Sequence, residues 1–389
     1  MISPVPSYRV ASIDILRGLI MIIMALDHTR DFFHATALTA DPLNGATTTM
    51  PLFFTRWITH FCAPGFVFLS GLSAWLSSKK KSKADASLFL MKRGAWLILA
   101  EVTLVTFGLT FNPFFNLIIL QVIWAIGWSM IVLGLLMRIS NRVVLIAGII
   151  LVFGHNILDY LVMPTGNAGY VLATLFTSRV AFIPLDSSHA IGIFYAILPW
   201  TGLMLLGYSI GNWYQKDFPA AKRRKLLMIS GIFVTVLFIG LRLIRGYGDP
   251  GAWDGNTFYS FLNTSKYPPS LQYSCMTLGP LLILLSVLEN VRAGWSKVVS
   301  VYGRVPFFYF IVHFYLLHVL LIIVFFASGH TVVEISDPRS PFMFRPAQFG
   351  YSLGTVYLIW IALVAVLYYP CRWFNKIKQE HSHWWLKYL

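Results

Sequence analysis

The chain has 389 residues, 57% hydrophobic and 12% charged, with a mean hydropathy of +0.69. A soluble domain carries about twice that charged fraction, so the composition excludes an ordinary globular enzyme and points to a polytopic membrane protein. The net charge of +15 sits mainly in short loops between apolar runs, which excludes a nucleic-acid binder.

Ten apolar segments follow in order: 13–33, 57–76, 94–111, 117–137, 143–163, 191–213, 226–244, 271–288, 298–327 and 351–374. Most are long enough to cross a hydrocarbon core of about 30 Å. The expectation is an all-α integral membrane protein of about ten transmembrane helices, one domain over 1–389. Most of the 30 Lys and Arg, from Arg9 and Arg17 through Lys79–Lys83 and Lys222–Lys225 to Lys378, fall on the side of the N-terminus. Arg30, Arg56, Arg179, Arg242, Arg245, Lys266, Arg339 and Arg345 fall opposite. By the positive-inside rule both termini are cytoplasmic.

The first segment carries the densest chemistry. Arg17 and His28 are eleven apart, about 20° past three full turns, so they share one helix face about 16 Å apart. His28 stands in Asp27-His28-Thr29-Arg30-Asp31-Phe32-Phe33-His34. Ionisable groups at this depth normally face a cavity or a partner. Asp31, three residues on, or the adjacent Asp27 is placed to orient the imidazole and set its tautomer, a base with its orienter. The bland alternative is an interfacial cluster in which Asp27 pairs with Arg30. Arg17 also stands where a signal peptide would be apolar, so this segment reads as a retained span.

His60 lies at the outer entrance of the second segment, and His34 nearer the first loop. Pro64-Gly65, Pro199, Gly279-Pro280 and Gly303 to Pro306 interrupt apolar runs, as helices lining a cavity do. Glu101, alone within a span, needs an arginine, a backbone donor or a function. Gln121, Trp124 and Trp128 form a helical stripe that reads as packing. The loop 245–270 carries Asp249, Asp254, Asn263, Lys266 and Tyr267, a mix that suits a sugar-like acceptor or a packed cap. His313 and His318 diverge by about 140°, and His313 is the one assigned to the cavity. His155, His189, His330, His381 and His383 read as structural. Cys62, Cys275 and Cys371 lack CxxC spacing and no histidines have HExxH spacing, so no metal is expected.

Arg17-Gly18 followed by His28 resembles the arginine–histidine signature of membrane acyltransferases that O-acetylate surface polysaccharides. Gly303-Arg304-Val305-Pro306 with Tyr309 to His313 looks like the late-helix segment of that group. A closer resemblance is to a bacterial branch related to the catalytic domain of heparan-alpha-glucosaminide N-acetyltransferase. It is carried by Ser12 to Gly18, Asp27 to Phe32, Pro64 to Gly71, Gln121 to Gly127 and Asn263 to Ser270, over about residues 9–320.

The resemblance implies an acetyl-CoA-dependent acyltransferase of a bacterial cytoplasmic (inner) membrane. An acetyl group passes from cytosolic acetyl-CoA, the donor substrate, to an outer hydroxyl or amine of a sugar or glycan. His28, with Asp27 and Asp31, is the expected catalytic set. Arg17, Arg304 and His313 are expected to meet the donor, and His34, His60, Asp254, Asn263 and Lys266 the acceptor. Membrane lipids are the surrounding partners, and a homodimer stays open. The chain departs from the lysosomal enzyme in having no histidine between His34 and Met50, where that enzyme's first luminal loop carries one. The rival class is a proton-coupled transporter or flippase of a polar or lipid-linked sugar, which has no use for acetyl-CoA.

Overall fold

The computed structural model describes residues 10–160, 168–177, 181–251 and 253–388. Arg9, Arg179 and the last three residues of the expected fifth span lie outside them. The helices are α1 (Ala11–Phe33), α2 (Met50–Thr59), α3 (Cys62–Ser78), α4 (Lys83–Ala100), α5 (Thr106–Thr110), α6 (Val122–Ile139), α7 (Asn141–Gly154) and α8 (Ala168–Thr177). They continue as α9 (Ile197–Ser209), α10 (Ala220–Ile244), α11 (Phe258–Leu262), α12 (Leu271–Leu288), α13 (Gly294–Arg304), α14 (Pro306–Ala327) and α15 (Leu353–Glu380). Among the described residues, seven helical stretches are long and apolar enough to cross a membrane, including α6, α10, α12, α14 and α15. The protein is a mostly helical, multi-pass membrane protein.

The fold is not purely α. Residues 117–120 and 191–193, expected to open the fourth and sixth helices, belong to strands β1 (Leu117–Leu120) and β3 (Ala190–Ile193). They pair in parallel, Leu117 opposite Ala190, and β2 (Ala181–Pro184) adds an antiparallel edge. A short apolar run has no period to separate strand from helix. The helices begin later, α6 at Val122 and α9 at Ile197.

Other boundaries move for local reasons. The second expected span starts earlier, at Met50, and breaks at His60–Phe61. Pro64 therefore lies in the first turn of α3, where a missing N–H costs nothing. The third bulges into a π-helical turn at Glu101–Val105. The ninth breaks at Val305, and Pro306 starts α14.

α1 lies at the centre, packed against α2, α3, α12, α13, α14 and α15. Its crossing with α13 is as close as backbones permit. A Cβ on Gly18 would lie 2.1 Å from the Val299 carbonyl oxygen, and one on Gly303 1.9 Å from that of Asp14. α10 and α15 lie outside, presenting Ile232, Phe233, Val236, Leu358, Ile361 and Val366 to the surroundings.

Two buried arginines hold the loops at the C-terminal end of α1. Arg242 donates to the carbonyls of Gly251, Ser260, Phe261 and Asn263 and to Gln272 Oε1, which folds 245–270 onto the bundle. Arg345 donates to the carbonyls of His34, Pro346 and Phe349, which ties 345–349 to the end of α1. Replacing Arg242 by Met orphans all these acceptors and should destabilise the protein by about 3 kcal/mol or more. Thermal unfolding in detergent and proteolysis within 245–270 measure it; an unchanged melting temperature and an intact loop would contradict the role.

Candidate active site

Arg17 and His28 do share one face of α1, and a line of cavities runs along it. Because Gly18 and Gly303 let α13 approach, Arg17 Nη1 donates to the Gly303 carbonyl at 2.9 Å and to Asp14 Oδ1 at 3.3 Å. Its Nη2 donates to Ser73 Oγ at 2.6 Å. Arg304 Nε lies 3.6 Å from Asp14 Oδ2. These groups open onto a cavity of about 810 Å³ that also receives Lys79, Lys80, Lys81, Arg93 and Lys216, with Asp14 as the only carboxylate among its lining residues. Trp75, Phe89 and Tyr214 supply aromatic surface.

From Arg17 and Arg93 a narrow passage of about 70 Å³ leads inward between Met21, Leu97, Ile126 and Met130, with Pro306 and Phe307 at the α13–α14 break. At Phe66, Val122 and Phe310 it meets a pocket of about 30 Å³ that reaches His28. Beyond it lies a cavity of about 290 Å³. The last two share Asp27, His28, Gln121, Tyr195 and Lys266. His28 thus stands where a path from the basic end meets a polar chamber at the other.

The imidazole is set by a second histidine. His28 Nδ1 lies 2.6 Å from His313 Nε2, and His313 Nδ1 lies 3.2 Å from the Tyr309 carbonyl oxygen. A carbonyl only accepts, so His313 carries its proton on Nδ1 and presents Nε2 as an acceptor. Neutral His28 must then donate from Nδ1, which leaves its Nε2 with a free lone pair. This tautomer follows from the hydrogen-bond pattern. Phe314 stacks on the His28 ring with centroids 4.5 Å apart and fixes its plane.

The carboxylates expected to orient that ring are engaged elsewhere. Arg30 Nη2 donates to Asp27 Oδ1 at 3.2 Å and to Asp31 Oδ1 at 2.6 Å. Arg56 pairs with Asp27 Oδ2. The orienting partner is His313, which was expected to meet the donor; it lines none of the four cavities and stands behind His28.

Of the other expected residues, Lys266 reaches both inner chambers, and Arg17 and Arg304 line the basic one. Asp254 is turned outward and accepts from the Asn256 amide. Asn263 caps α11, with its carbonyl on Arg242. His34 lines none of the cavities; its ring meets Thr36 and its carbonyl takes Arg345. Burial, with Arg30 and Arg345 nearby, holds that imidazole below its ordinary pKa. His60 is buried against Tyr273 and lines none of the cavities.

Glu101 finds backbone donors: Oε1 accepts from the Gln121 amide and Oε2 from that of Trp124, both at 3.0 Å. It caps the N-terminus of α6, where a carboxylate complements the helix dipole. The cap fixes Gln121, whose packing reading from sequence missed its place in the chambers. Arg56 and Tyr195 were missed as site residues too, and Tyr267, noted only within the mix of the 245–270 loop, joins them in the chamber lining. Arg56 had a signal, a charge within an apolar stretch. Tyr195 follows β3 and had none.

Asp27 answers two guanidinium groups with little solvent access, so Asp27→Asn should cost about 3–5 kcal/mol. Asp31, a third exposed, should be tolerated as Asn. Urea unfolding of both variants tests this; equal stabilities would contradict the network.

The chain matches the family model described as heparan-alpha-glucosaminide N-acetyltransferase, catalytic, over residues 9–244. That stretch holds Arg17, Asp27, His28, Arg56 and Gln121, while Lys266, Arg304 and His313 lie beyond it. A search of curated proteins returned no match. Since the family model covers more than half of the chain, the protein belongs to the heparan-alpha-glucosaminide N-acetyltransferase catalytic family.

Proposed function

We propose that this transmembrane acetyltransferase takes its acetyl group from acetyl-CoA at the basic mouth and delivers it to a sugar or glycan hydroxyl or amine at the opposite chamber. The observation that carries the reading is the line of cavities joining that mouth to His28. About ten crossings with both termini cytoplasmic put the mouth inside the cell, in a bacterial cytoplasmic membrane. Lys79–Lys81, Arg93 and Arg304 then meet the donor's phosphates, which guanidinium and ammonium groups recognise well. Arg17 guards the entrance to the passage, whose narrow apolar walls suit a thin, uncharged acyl-bearing arm. Passages of about 70 and 30 Å³ are too tight for a sugar, which argues against a flippase.

At His28 the chemistry needs one base. Nε2 takes the proton of the acceptor as its oxygen or nitrogen attacks the thioester carbonyl. The C–S bond breaks, the CoA thiolate leaves, and the proton passes from Nε2 to the sulfur. His313 keeps the lone pair aimed by holding Nδ1. A thioester is already reactive, so positioning and deprotonation are the protein's task. Asp27 and Asp31 act through the ion network that shapes the chamber.

Replacing His28 by Ala should lower acetyl transfer about 10²–10⁴-fold while leaving acetyl-CoA binding intact. His313→Phe should lower kcat with little change in the donor's KM, and His318→Ala, whose ring stacks on Phe111 and itself lines neither inner chamber, should be nearly silent. Turnover by His28→Ala at the wild-type rate, or no binding of acetyl-CoA by calorimetry, would contradict the proposal.

The orientation is tested by labelling. Cys62, Cys275 and Cys371 are all buried, so single cysteines at exposed Gly45 and Ser82 report cleanly. In intact cells an impermeant maleimide should label Gly45→Cys and spare Ser82→Cys. The reverse would exchange the donor and acceptor sides.

A further inference from the structure

Attack on a thioester at His28 puts negative charge on the carbonyl oxygen. His28 and His313 handle the proton; the oxygen needs donors of its own, aimed in advance because the pocket holds little water. A carbonyl delivered through the passage reaches His28 in the pocket of about 30 Å³. Most polar groups lining that pocket are engaged. Asp27 is an acceptor, held by Arg30 and Arg56. The Thr59 hydroxyl donates to the Arg56 carbonyl at 2.7 Å, and the Cys62 thiol to that of Ile20 at 3.6 Å. Gln121, Tyr195 and Lys266 are left.

Gln121 is held by its backbone, whose amide donates to Glu101 Oε1 at 3.0 Å. Its carboxamide makes no capping bond to α6 and faces both inner chambers. It therefore offers N–H donors to the pocket. Lys266 acts through Tyr267. It donates to the Tyr267 hydroxyl, and that phenol is hydrogen-bonded to Tyr195. The two rings meet edge to face with centroids 5.5 Å apart. Two phenols bonded to each other and fed by one ammonium leave one O–H over, whichever phenol donates to the other. Accepting from a cation makes Tyr267 the stronger donor of the two. Burial pushes its phenol up, yet Lys266 and Arg56 bring it below its ordinary pKa. Tyr267 therefore donates to Tyr195, and the Tyr195 O–H is free for the pocket that Tyr195 lines.

We propose that the Gln121 carboxamide and the Tyr195 hydroxyl form the oxyanion site of this acyltransferase, with Tyr267 and Lys266 as positioning residues behind Tyr195. The assignment rests on the acyltransferase reading and adds the groups that stabilise its transition state. As the acceptor atom bonds to the carbonyl carbon, the C=O π pair moves onto oxygen, where the two donors hold it. The pair returns to re-form C=O as the C–S bond breaks; the thiolate leaves and takes the proton from His28 Nε2. Each donor is worth about 10²–10³ in kcat.

The test reads the donor's carbonyl and needs no acceptor: isotope-edited infrared spectroscopy of acetyl-CoA, labelled with carbon-13 at the carbonyl, bound to the purified protein. Hydrogen bonds to the oxygen lower the C=O stretching frequency. Tyr195→Phe and Gln121→Met, both close in shape to the wild type, should each raise the bound band, and the double variant should raise it further. Gln121→Glu keeps the length and replaces the N–H groups by an acceptor, so it should raise the band as well. Tyr267→Phe should raise it by less, and His318→Ala should leave it in place. A band unmoved by Tyr195→Phe, or by both replacements of Gln121, in protein that binds acetyl-CoA would overturn the proposal and leave the acyltransferase reading standing. Failure of the wild type to bind acetyl-CoA would sink both.

Discussion

Ionisable side chains on a helix of hydrocarbon length have to be answered inside the protein, because lipid offers neither solvation nor counter-charge. α1 carries Asp14, Arg17, Asp27, Arg30 and Asp31. That load forces it to the centre, with six helices around it and partners supplied from far along the chain. Arg304 comes to Asp14 and Arg56 to Asp27. The charges are answered near the two ends of the helix, so the middle stays apolar. A mouth of one sign, a greasy passage and a mixed chamber are what this distribution leaves between the packed helices.

The histidine pair follows from the same economy of buried polar groups. His313 has its own helix carbonyl as acceptor and needs a donor on its other nitrogen; His28 is that donor. Each ring satisfies the other, and the one nitrogen left over belongs to the residue that faces both inner chambers. An imidazole arrangement of this kind orients a base without a carboxylate touching it. The carboxylates are spent on Arg30 and Arg56, where they hold α1 and α2 together.

Much of the first helix could be read from its period alone. The eleven-residue spacing puts Arg17 and His28 on one face, and the structure runs its cavities along that face. His313 is expected at the cavity but stands behind His28 and lines none of the four cavities; its bond to His28 joins residues 285 positions apart, and nothing local announces that. The nearby Asp31 was the more obvious orienter, and Arg30 claims it. Among the loop residues, Lys266 enters the chamber because Arg242 and Asp249 fold 245–270 inward, with Asp249 accepting from Ser265 and Ser270. Asp254 and Asn263 have similar composition and end up outside. β1 and β3 escaped because four apolar residues in a row fit either a helix or a buried strand.

The central claim is that an acetyl group crosses the membrane along α1, entering from the Lys79–Lys83 side and leaving at His28. Reconstituted vesicles sorted by orientation test it, with radiolabelled acetyl-CoA confined to the face that bears Lys79–Lys83 and the acceptor confined to the other. The account predicts labelled acceptor in the sealed opposite compartment, lost in His28→Ala and when Ile126→Trp blocks the narrow passage. Label that appears only when donor and acceptor share one compartment, or that survives the blocked passage, would contradict it.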